Sequence, residues 1–196
     1  METVPTEAEA EEMTDVVVID TETTSKYPEQ AKILEVAAVI VRGGIIEDRF
    51  YNSLVNPGME HLRGAEASLA VNGLKKEEIA AAPAEKLVKE HFARFIESTR
   101  LPVTSYNVHY DKVVLNTNEW AGLEFDWSEC IMLAAQGIMG KAGALPFKYD
   151  GDYKYPNLNE AGSFFGVGSG SHRAIEDART AARVWIEICK MRAAQK

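Results

Sequence analysis

Apolar residues in the first part of the chain form short β-branched runs that are separated by turn residues. The run over 16–19 is Val-Val-Val-Ile, which is typical of a strand buried on both faces. A second apolar run covers 33–41, and the glycine pair that follows predicts a tight turn into a third strand over 45–55. A short fourth strand is predicted over 103–106.

Apolar residues recur with helical spacing between and after these strands. Pro83 and Pro102 interrupt that spacing and end the helices that precede them. The predicted helices cover 65–71, 75–81, 84–98, 109–121, 128–139, 158–165 and 173–191. Strands that come first and then alternate with helices predict an α/β fold, in which helices flank a mixed sheet.

Charge is unevenly distributed along the 196 residues. The net charge is −9, but the first fifteen residues contain six acids and no Lys or Arg. We therefore expect 1–14 to be a disordered acidic tail and 15–196 to be a single domain. Because the domain itself is nearly neutral, a phosphate-bearing substrate is not excluded, although the basic stripe that holds long duplexes is missing.

Cysteine usage and hydropathy indicate the cellular compartment in which we expect the protein. Cys130 and Cys189 are far apart and lack metal-type spacing, which favours a reducing compartment, the cytoplasm. No stretch approaches the roughly 20 apolar residues of a membrane-spanning helix. The start of the chain also lacks the basic and apolar regions of a secretory signal. We expect no contact with a membrane.

Two carboxylates follow the first predicted strand directly. Asp20 and Glu22 are two residues apart, so in an extended segment they point to the same face. Two like charges at that separation repel each other unless a cation lies between them. The carboxyl end of a strand is also where open α/β sheets bind ligands. The alternative is a turn in which Asp20 caps the next segment.

Two further carboxylates lie on apolar helix faces. Asp111 and Asp177 each share a face with apolar residues, where an unpaired carboxylate is costly. The alternatives are a helix-dipole contact for Asp111 and a buried basic partner for Asp177. His172 precedes Asp177 by five residues and alone is typical of a polar loop. Oxygen ligands favour Mg²⁺ or Mn²⁺ over zinc, and a histidine beside them suits proton transfer.

Three motifs in order resemble those of the DEDDh 3′–5′ exonucleases. Residues 20–24, Asp-Thr-Glu-Thr-Thr, are similar to the first motif of that family. Residues 107–111 resemble the second motif, and 172–178 resemble the third. Residues 70–74 resemble a family loop that meets the terminal nucleotide. The resemblance covers about 15–190 and includes the order and separation of all three motifs.

The resemblance implies an RNase H-like fold with a mixed five-stranded sheet flanked by helices. It also implies two divalent cations, Mg²⁺ or Mn²⁺, and hydrolysis of single-stranded DNA or RNA from the 3′ end, with DNA slightly favoured. Asp20 would touch both cations, Glu22 and Asp177 would complete one site, and Asp111 would hold the second cation. His172 would accept the proton of the attacking water. The product would be a nucleoside 5′-monophosphate.

The resemblance also implies contacts to the substrate. The residues expected to make them are Thr23, Thr24, Asn72 and Asn107. For Asn107 the alternative is a structural role, in which it orients Asp111 or caps the helix that carries it. Residues 147–156 contain three Tyr, one Phe and two Lys. They are a candidate substrate-facing loop, and the alternative is a packed surface loop.

Two other functions fit parts of the pattern. A strand followed by Asp-x-Glu-x-Thr also resembles a haloacid dehalogenase-type phosphatase, but Glu22 replaces that family's second aspartate. Asp111 and Asp177 would then have no role. The other alternative is an inactive exonuclease fold that serves as a binding module, although all five catalytic positions are present. A polymerase partner and a homodimer both remain open.

Overall fold

Four strands form one mixed sheet in the computed structural model, which describes residues 15–148 and 151–195. Strand β1 (Val16–Thr23) is antiparallel to β2 (Ile33–Arg42), and β2 is antiparallel to β3 (Ile45–Leu54). Strand β4 (Val103–Ser105) is parallel to β1. The spatial order of the strands is β3-β2-β1-β4. The predicted acidic tail lies outside the described residues.

The prediction of a five-stranded sheet was wrong for the described residues. At the outer edge of β4 there is only a single parallel bridge, between Val103 and Trp127. The Val103 amide donates to the carbonyl of Asp126 at 2.7 Å, and the Ser128 amide donates to the carbonyl of Val103 at 2.8 Å. A helix begins at Ile131, so the segment is too short to add further pairs.

Seven α-helices are present in the described residues. They are α1 (Glu66–Asn72), α2 (Lys76–Ala81), α3 (Glu85–Thr99), α4 (Val108–Val114), α5 (Ile131–Lys141), α6 (Leu158–Phe164) and α7 (Ala174–Ala193). Short 3₁₀ turns lie at Pro28–Gln30, Met59–Leu62 and Asn118–Trp120. None of these helices has the length and apolar character that crossing a membrane requires.

Helix α4 ends at Val114, well before the predicted end at 121. The Thr117 hydroxyl donates to the carbonyl of Val114 at 2.9 Å and so competes for a carbonyl at the end of the helix. The chain then turns so that Trp120 is buried edge-on against Phe92, with 6.0 Å between their ring centroids. Packing of a single large side chain therefore overrides the longer helical pattern.

Side chains of β1 alternate between two cores. Val16 and Val18 pack with α5, α6 and α7 on one face of the sheet, whereas Val17 and Ile19 pack with α3 and α4 on the other. The same alternation continues to the end of the strand. It places Asp20 and Glu22 on the face covered by α7, and Thr21 on the face covered by α4.

Candidate active site

Three carboxylates meet where β1 ends. Asp20 and Glu22 come from β1, and Asp177 comes from the first turn of α7, which crosses that face of the sheet. One oxygen atom of each carboxylate lies within 4.8 Å of the others. Sequence spacing predicted the first pair, and the fold brings Asp177 to it across more than 150 residues of chain.

Burial and mutual repulsion raise the pKa values of this group. The pKa of Asp20 is well above its usual range, first because of burial and then because of the charges of Asp111 and Glu22. Burial, followed by the charge of Asp177, raises the pKa of Glu22 to about 7. A cation bound among these oxygens would attract each ionised carboxylate and so offset their mutual repulsion. The donor set consists of carboxylate oxygens, which fits a hard divalent ion such as Mg²⁺ or Mn²⁺.

Asp111 approaches the cluster from the opposite face of β1. Its carboxylate is buried and accepts a hydrogen bond from the Thr21 hydroxyl at 2.8 Å. Burial raises the pKa of Asp111 to about 6, while the hydroxyl groups of Ser105 and Thr21 lower it. Among neighbouring charges, Asp111 contributes most to the raised pKa of Asp20. Asp111 therefore lies next to Asp20 although it is outside the compact group of three.

His172 lies on an exposed loop that wraps around the Asp177 carboxylate. The amides of Ser171 and His172 donate to Asp177 Oδ1 at 2.7 Å and 3.3 Å. His172 has a positive φ of 58°, which is uncommon for a residue with a side chain. A Cβ at Gly170 would lie 2.3 Å from the same Oδ1 atom, so this close approach requires glycine. The loop thus ties the histidine to one carboxylate of the cluster.

An ion pair between a buried glutamate and a half-exposed arginine, which the sequence pattern did not predict, fixes the start of α7. Glu35 lies opposite Glu22 in the β1–β2 register and is fully buried. It accepts two hydrogen bonds at 3.0 Å from the guanidinium of Arg173 and one at 3.2 Å from the Ala174 amide. Arg173 directly follows His172. The signal in the sequence was a lone carboxylate inside the apolar run 33–41.

Two of the four predicted substrate-contact residues lie beside the cluster. Asn72 is buried at the end of α1, and its side chain hydrogen-bonds to Glu22 and so opposes the rise in the Glu22 pKa. The Thr23 hydroxyl hydrogen-bonds to the Tyr110 hydroxyl and donates to the Ser25 carbonyl at 2.9 Å. Thr23 and Tyr110 line a cavity of about 690 Å³ that also borders Glu22.

The other two predicted contacts have different surroundings. Thr24 pairs with Lys32: its hydroxyl accepts from the Lys32 amide at 3.0 Å, and its amide donates to the Lys32 carbonyl. It therefore holds the connection between β1 and β2. Asn107 occupies the N-cap position of α4, but its side chain makes no capping hydrogen bond, so the predicted cap was wrong. Asn107 instead lines a second cavity.

Comparison with known proteins places this geometry in a family. The RNase T family model, described as an exonuclease, matches residues 17–185. The chain belongs to this exonuclease family. Its three motifs are those of the DEDDh exonucleases, which act on nucleic acids and normally use divalent metal ions. This membership makes the haloacid dehalogenase interpretation wrong.

Curated relatives of this exonuclease domain include polymerase subunits. The chain is 30% identical over 176 residues to the DNA polymerase III subunit epsilon of Aquifex aeolicus, covering 88% of this chain and 79% of that protein. It is 25% identical over 187 residues to the PolC-type DNA polymerase III of Thermotoga maritima. That match covers 89% of this chain but only 12% of the polymerase.

Solved structures share the fold. Exonuclease I of E. coli in complex with a dT13 oligonucleotide superposes with a TM-score of 0.71 at 15% identity, covering 92% of this chain and 42% of that one. Cell-death related nuclease 4 also gives 0.71, at 13% identity, covering 91% and 64%. The RNase H-like α/β architecture implied by the motifs is therefore confirmed.

Proposed function

We propose that this exonuclease-family domain is a metal-dependent 3′–5′ exonuclease of single-stranded nucleic acid, with DNA slightly favoured over RNA. The observation that carries the proposal is the convergence of Asp20, Glu22 and Asp177 beside the His172 loop. Its products are nucleoside 5′-monophosphates. The dT13 oligonucleotide named with Exonuclease I supports a single-stranded DNA substrate.

The four carboxylates are the proposed ligands of two divalent cations, Mg²⁺ or Mn²⁺. Asp20 belongs to the group formed with Glu22 and Asp177, and Asp111 is the neighbouring charge that most raises the Asp20 pKa; both observations support contact of Asp20 with both ions. When bound, such ions lower the pKa of a coordinated water and stabilise negative charge on a departing oxygen.

The side chains around the ions supply binding and proton transfer. His172 accepts the proton of the attacking water, since an imidazole is a side chain suited to proton transfer. The two hydrogen bonds from backbone amides to Asp177 Oδ1 hold the His172 loop in place. Thr23, which lines the cavity beside Glu22, and Asn72, which hydrogen-bonds to Glu22, contact the terminal nucleotide.

Two parts of the proposal concern partners and alternatives. The polymerase III names of the relatives support a polymerase as protein partner. No observation in residues 15–148 and 151–195 argues for a homodimer. An inactive binding module is the alternative function, and the presence of all five catalytic positions argues against it.

Digestion of single strands labelled at the 5′ end tests the proposal. We expect DNA and RNA strands to shorten from the 3′ end with Mg²⁺ or Mn²⁺ and to stay intact with EDTA. His172→Ala should slow the reaction by about 10²–10⁴-fold. His91→Ala, at an exposed histidine on α3, is the matched control and should be as active as the wild type.

The outcomes separate the alternatives. Immediate release of the labelled 5′ nucleotide would contradict the polarity, and equal rates for His172→Ala and the wild type would contradict the assigned base. Binding of both strands without cleavage under either metal would favour the inactive module.

A further inference from the structure

A second cavity, of about 600 Å³, opens at the same edge of the sheet as the carboxylate cluster. Strand β4 is parallel to β1, and Ser105 pairs with Ile19, the residue before Asp20. The chain therefore leaves β4 at the edge where Asp20 lies. Helix α4 starts there, so the residue after Asp111, Lys112, faces this cavity. We name it the α4–α5 groove, lined by Asn107, His109, Lys112, Met132, Leu133 and Tyr155.

The α4–α5 groove combines exposed apolar surface with basic side chains. Leu133 and Tyr155 are 49% and 46% exposed, so the groove presents apolar surface to solvent. The ammonium group of Lys148 lies 3.5 Å from the centroid of the Tyr155 ring. Lys112 and Lys148 form no ion pair with any described residue.

Two acids that flank the groove in sequence already have basic partners. Glu129, just before α5, forms a two-pronged ion pair with Arg192. Glu160, on α6, pairs with Lys154. Lys112 and Lys148 form a small basic face around the exposed Tyr155 ring, in a chain with a net charge of −9. Such a face is complementary to a polyanion that carries stacked rings.

The segment that carries Tyr155 is fixed by contacts of the residues that precede and follow it. The ring of Tyr153 packs directly over Gly140 of α5, where a Cβ would lie 2.2 Å from it. The side-chain amide of Gln136 donates to the Tyr153 carbonyl at 2.6 Å. The Tyr106 hydroxyl donates to the Pro156 carbonyl at 2.8 Å. Tyr155 is thus positioned in advance, which lowers the entropic cost of binding.

We propose that the α4–α5 groove binds the nucleotides that lie further upstream, on the 5′ side of the two nucleotides that flank the scissile bond. Tyr155 stacks on a base, and Lys112 and Lys148 contact backbone phosphates. This proposal rests on the proposed function, because it assigns the groove to the same strand whose 3′ end enters the carboxylate cluster. An apolar protein segment would match Leu133 and Tyr155 but would leave the lysines unmatched.

Binding of a twelve-nucleotide fluorescent oligothymidylate, measured by anisotropy in EDTA at several salt concentrations, tests the groove without turnover. Tyr155→Ala should weaken binding about 10-fold with an unchanged salt slope, because base stacking is lost. Tyr155→Phe keeps the ring and should bind like the wild type. Lys112→Gln should weaken binding and reduce the salt slope by about 0.7, the value for one phosphate contact. Lys86→Gln, at an exposed lysine on α3, should change neither quantity.

Hydrolysis of a dinucleotide distinguishes residues that act in the α4–α5 groove from residues that act in the carboxylate cluster. The dinucleotide is too short to reach the groove, so Tyr155→Ala and Lys112→Gln should leave its kcat/KM within about two-fold of the wild type. Loss of dinucleotide hydrolysis in these variants would assign both residues to the cluster and overturn the proposal. Unchanged oligothymidylate binding would also overturn it and favour a protein occupant. Failure of the wild type to shorten the labelled single strands contradicts the proposed function alone, since the binding arm decides the groove.

Discussion

Asp20 lies within electrostatic reach of four other carboxylates, and both its burial and their charges raise its pKa. We expect Asp20→Asn to abolish metal-dependent hydrolysis, because the side chain proposed to contact both cations loses its charge. The same change should raise the melting temperature of the metal-free protein by a few degrees, since it removes like-charge repulsion. Scanning fluorimetry in EDTA and the strand-shortening assay measure the two effects.

Asp48→Asn is the control for Asp20→Asn, because Asp48 is exposed on β3 and away from the cluster. It should alter neither activity nor melting temperature. Full activity of Asp20→Asn would contradict the two-cation proposal, and a lower melting temperature in EDTA would contradict the repulsion.

The ion pair between Glu35 and Arg173 is asymmetric, and its variants should show this. The Arg173 side chain is 44% exposed, whereas Glu35 is fully buried. Arg173→Met leaves an uncompensated buried carboxylate, which should cost about 3–5 kcal/mol in the free energy of unfolding. Glu35→Gln should cost less, because the guanidinium can reach water. Urea unfolding measures both values, and the double variant should cost less than the sum of the single ones.

Arg42→Met is the matched control, because Arg42 pairs with Glu47 on the surface. An exposed pair contributes about 0–1 kcal/mol, so this variant should remain close to the wild type. Equal costs for Arg173→Met and Glu35→Gln would contradict the asymmetry.

Helices and strands with strong periodicity were predictable, and those set by distant packing were not. The pattern predicted a helix over 84–98, and α3 spans Glu85–Thr99. It predicted a helix over 173–191, and α7 spans Ala174–Ala193. Helix α4 was overestimated because burial of Trp120 against Phe92 depends on the rest of the core. The described residues lack a fifth strand because α5 begins soon after β4.

Some residues of the candidate site were predictable from local sequence, and others depend on contacts that only the fold provides. Asp20 and Glu22 could be selected because two carboxylates directly after a buried strand are unusual within a short stretch of sequence. Glu35 could not, because its partner Arg173 is 138 residues away. Inside a run of apolar residues, a single acid does not show whether it is paired, and only the fold supplies the pair.

Two glycines of α5 should respond oppositely to the same substitution. A Cβ added at Gly137 would meet open space, so Gly137→Ala should stabilise the helix by roughly 0.5–1 kcal/mol. Gly140→Ala should destabilise the protein, because its Cβ would meet the Tyr153 ring at 2.2 Å. Displacement of Tyr153 should also weaken oligothymidylate binding through Tyr155. Urea unfolding and anisotropy measure the two effects, and stabilisation by both substitutions would contradict the packing.

The carboxylate cluster makes the stability of the metal-free protein depend on pH. The folded-state pKa of Glu22 is about 7, above its ordinary value of 4.5, so the folded protein holds a proton that the unfolded chain has lost. Folding stability therefore falls as the pH rises from about 4.5 to 7. Because Asp111 has a folded-state pKa of about 6, it acts in the same direction.

Comparison of Glu22→Gln with the wild type isolates this contribution from the remaining titrating groups. In EDTA the two proteins should melt at the same temperature near pH 4.5, where Glu22 is largely protonated in the folded state and about half protonated in the unfolded chain. Above pH 7 the variant should melt about 3–6 °C higher, since it avoids burying a charge among like charges. Asp48→Asn, at an exposed position on β3, should follow the wild type throughout. Mg²⁺ should reverse the order above pH 7, because the ion stabilises only ionised carboxylates. A constant difference across the pH range, or no reversal with Mg²⁺, would contradict a cation site formed by these carboxylates.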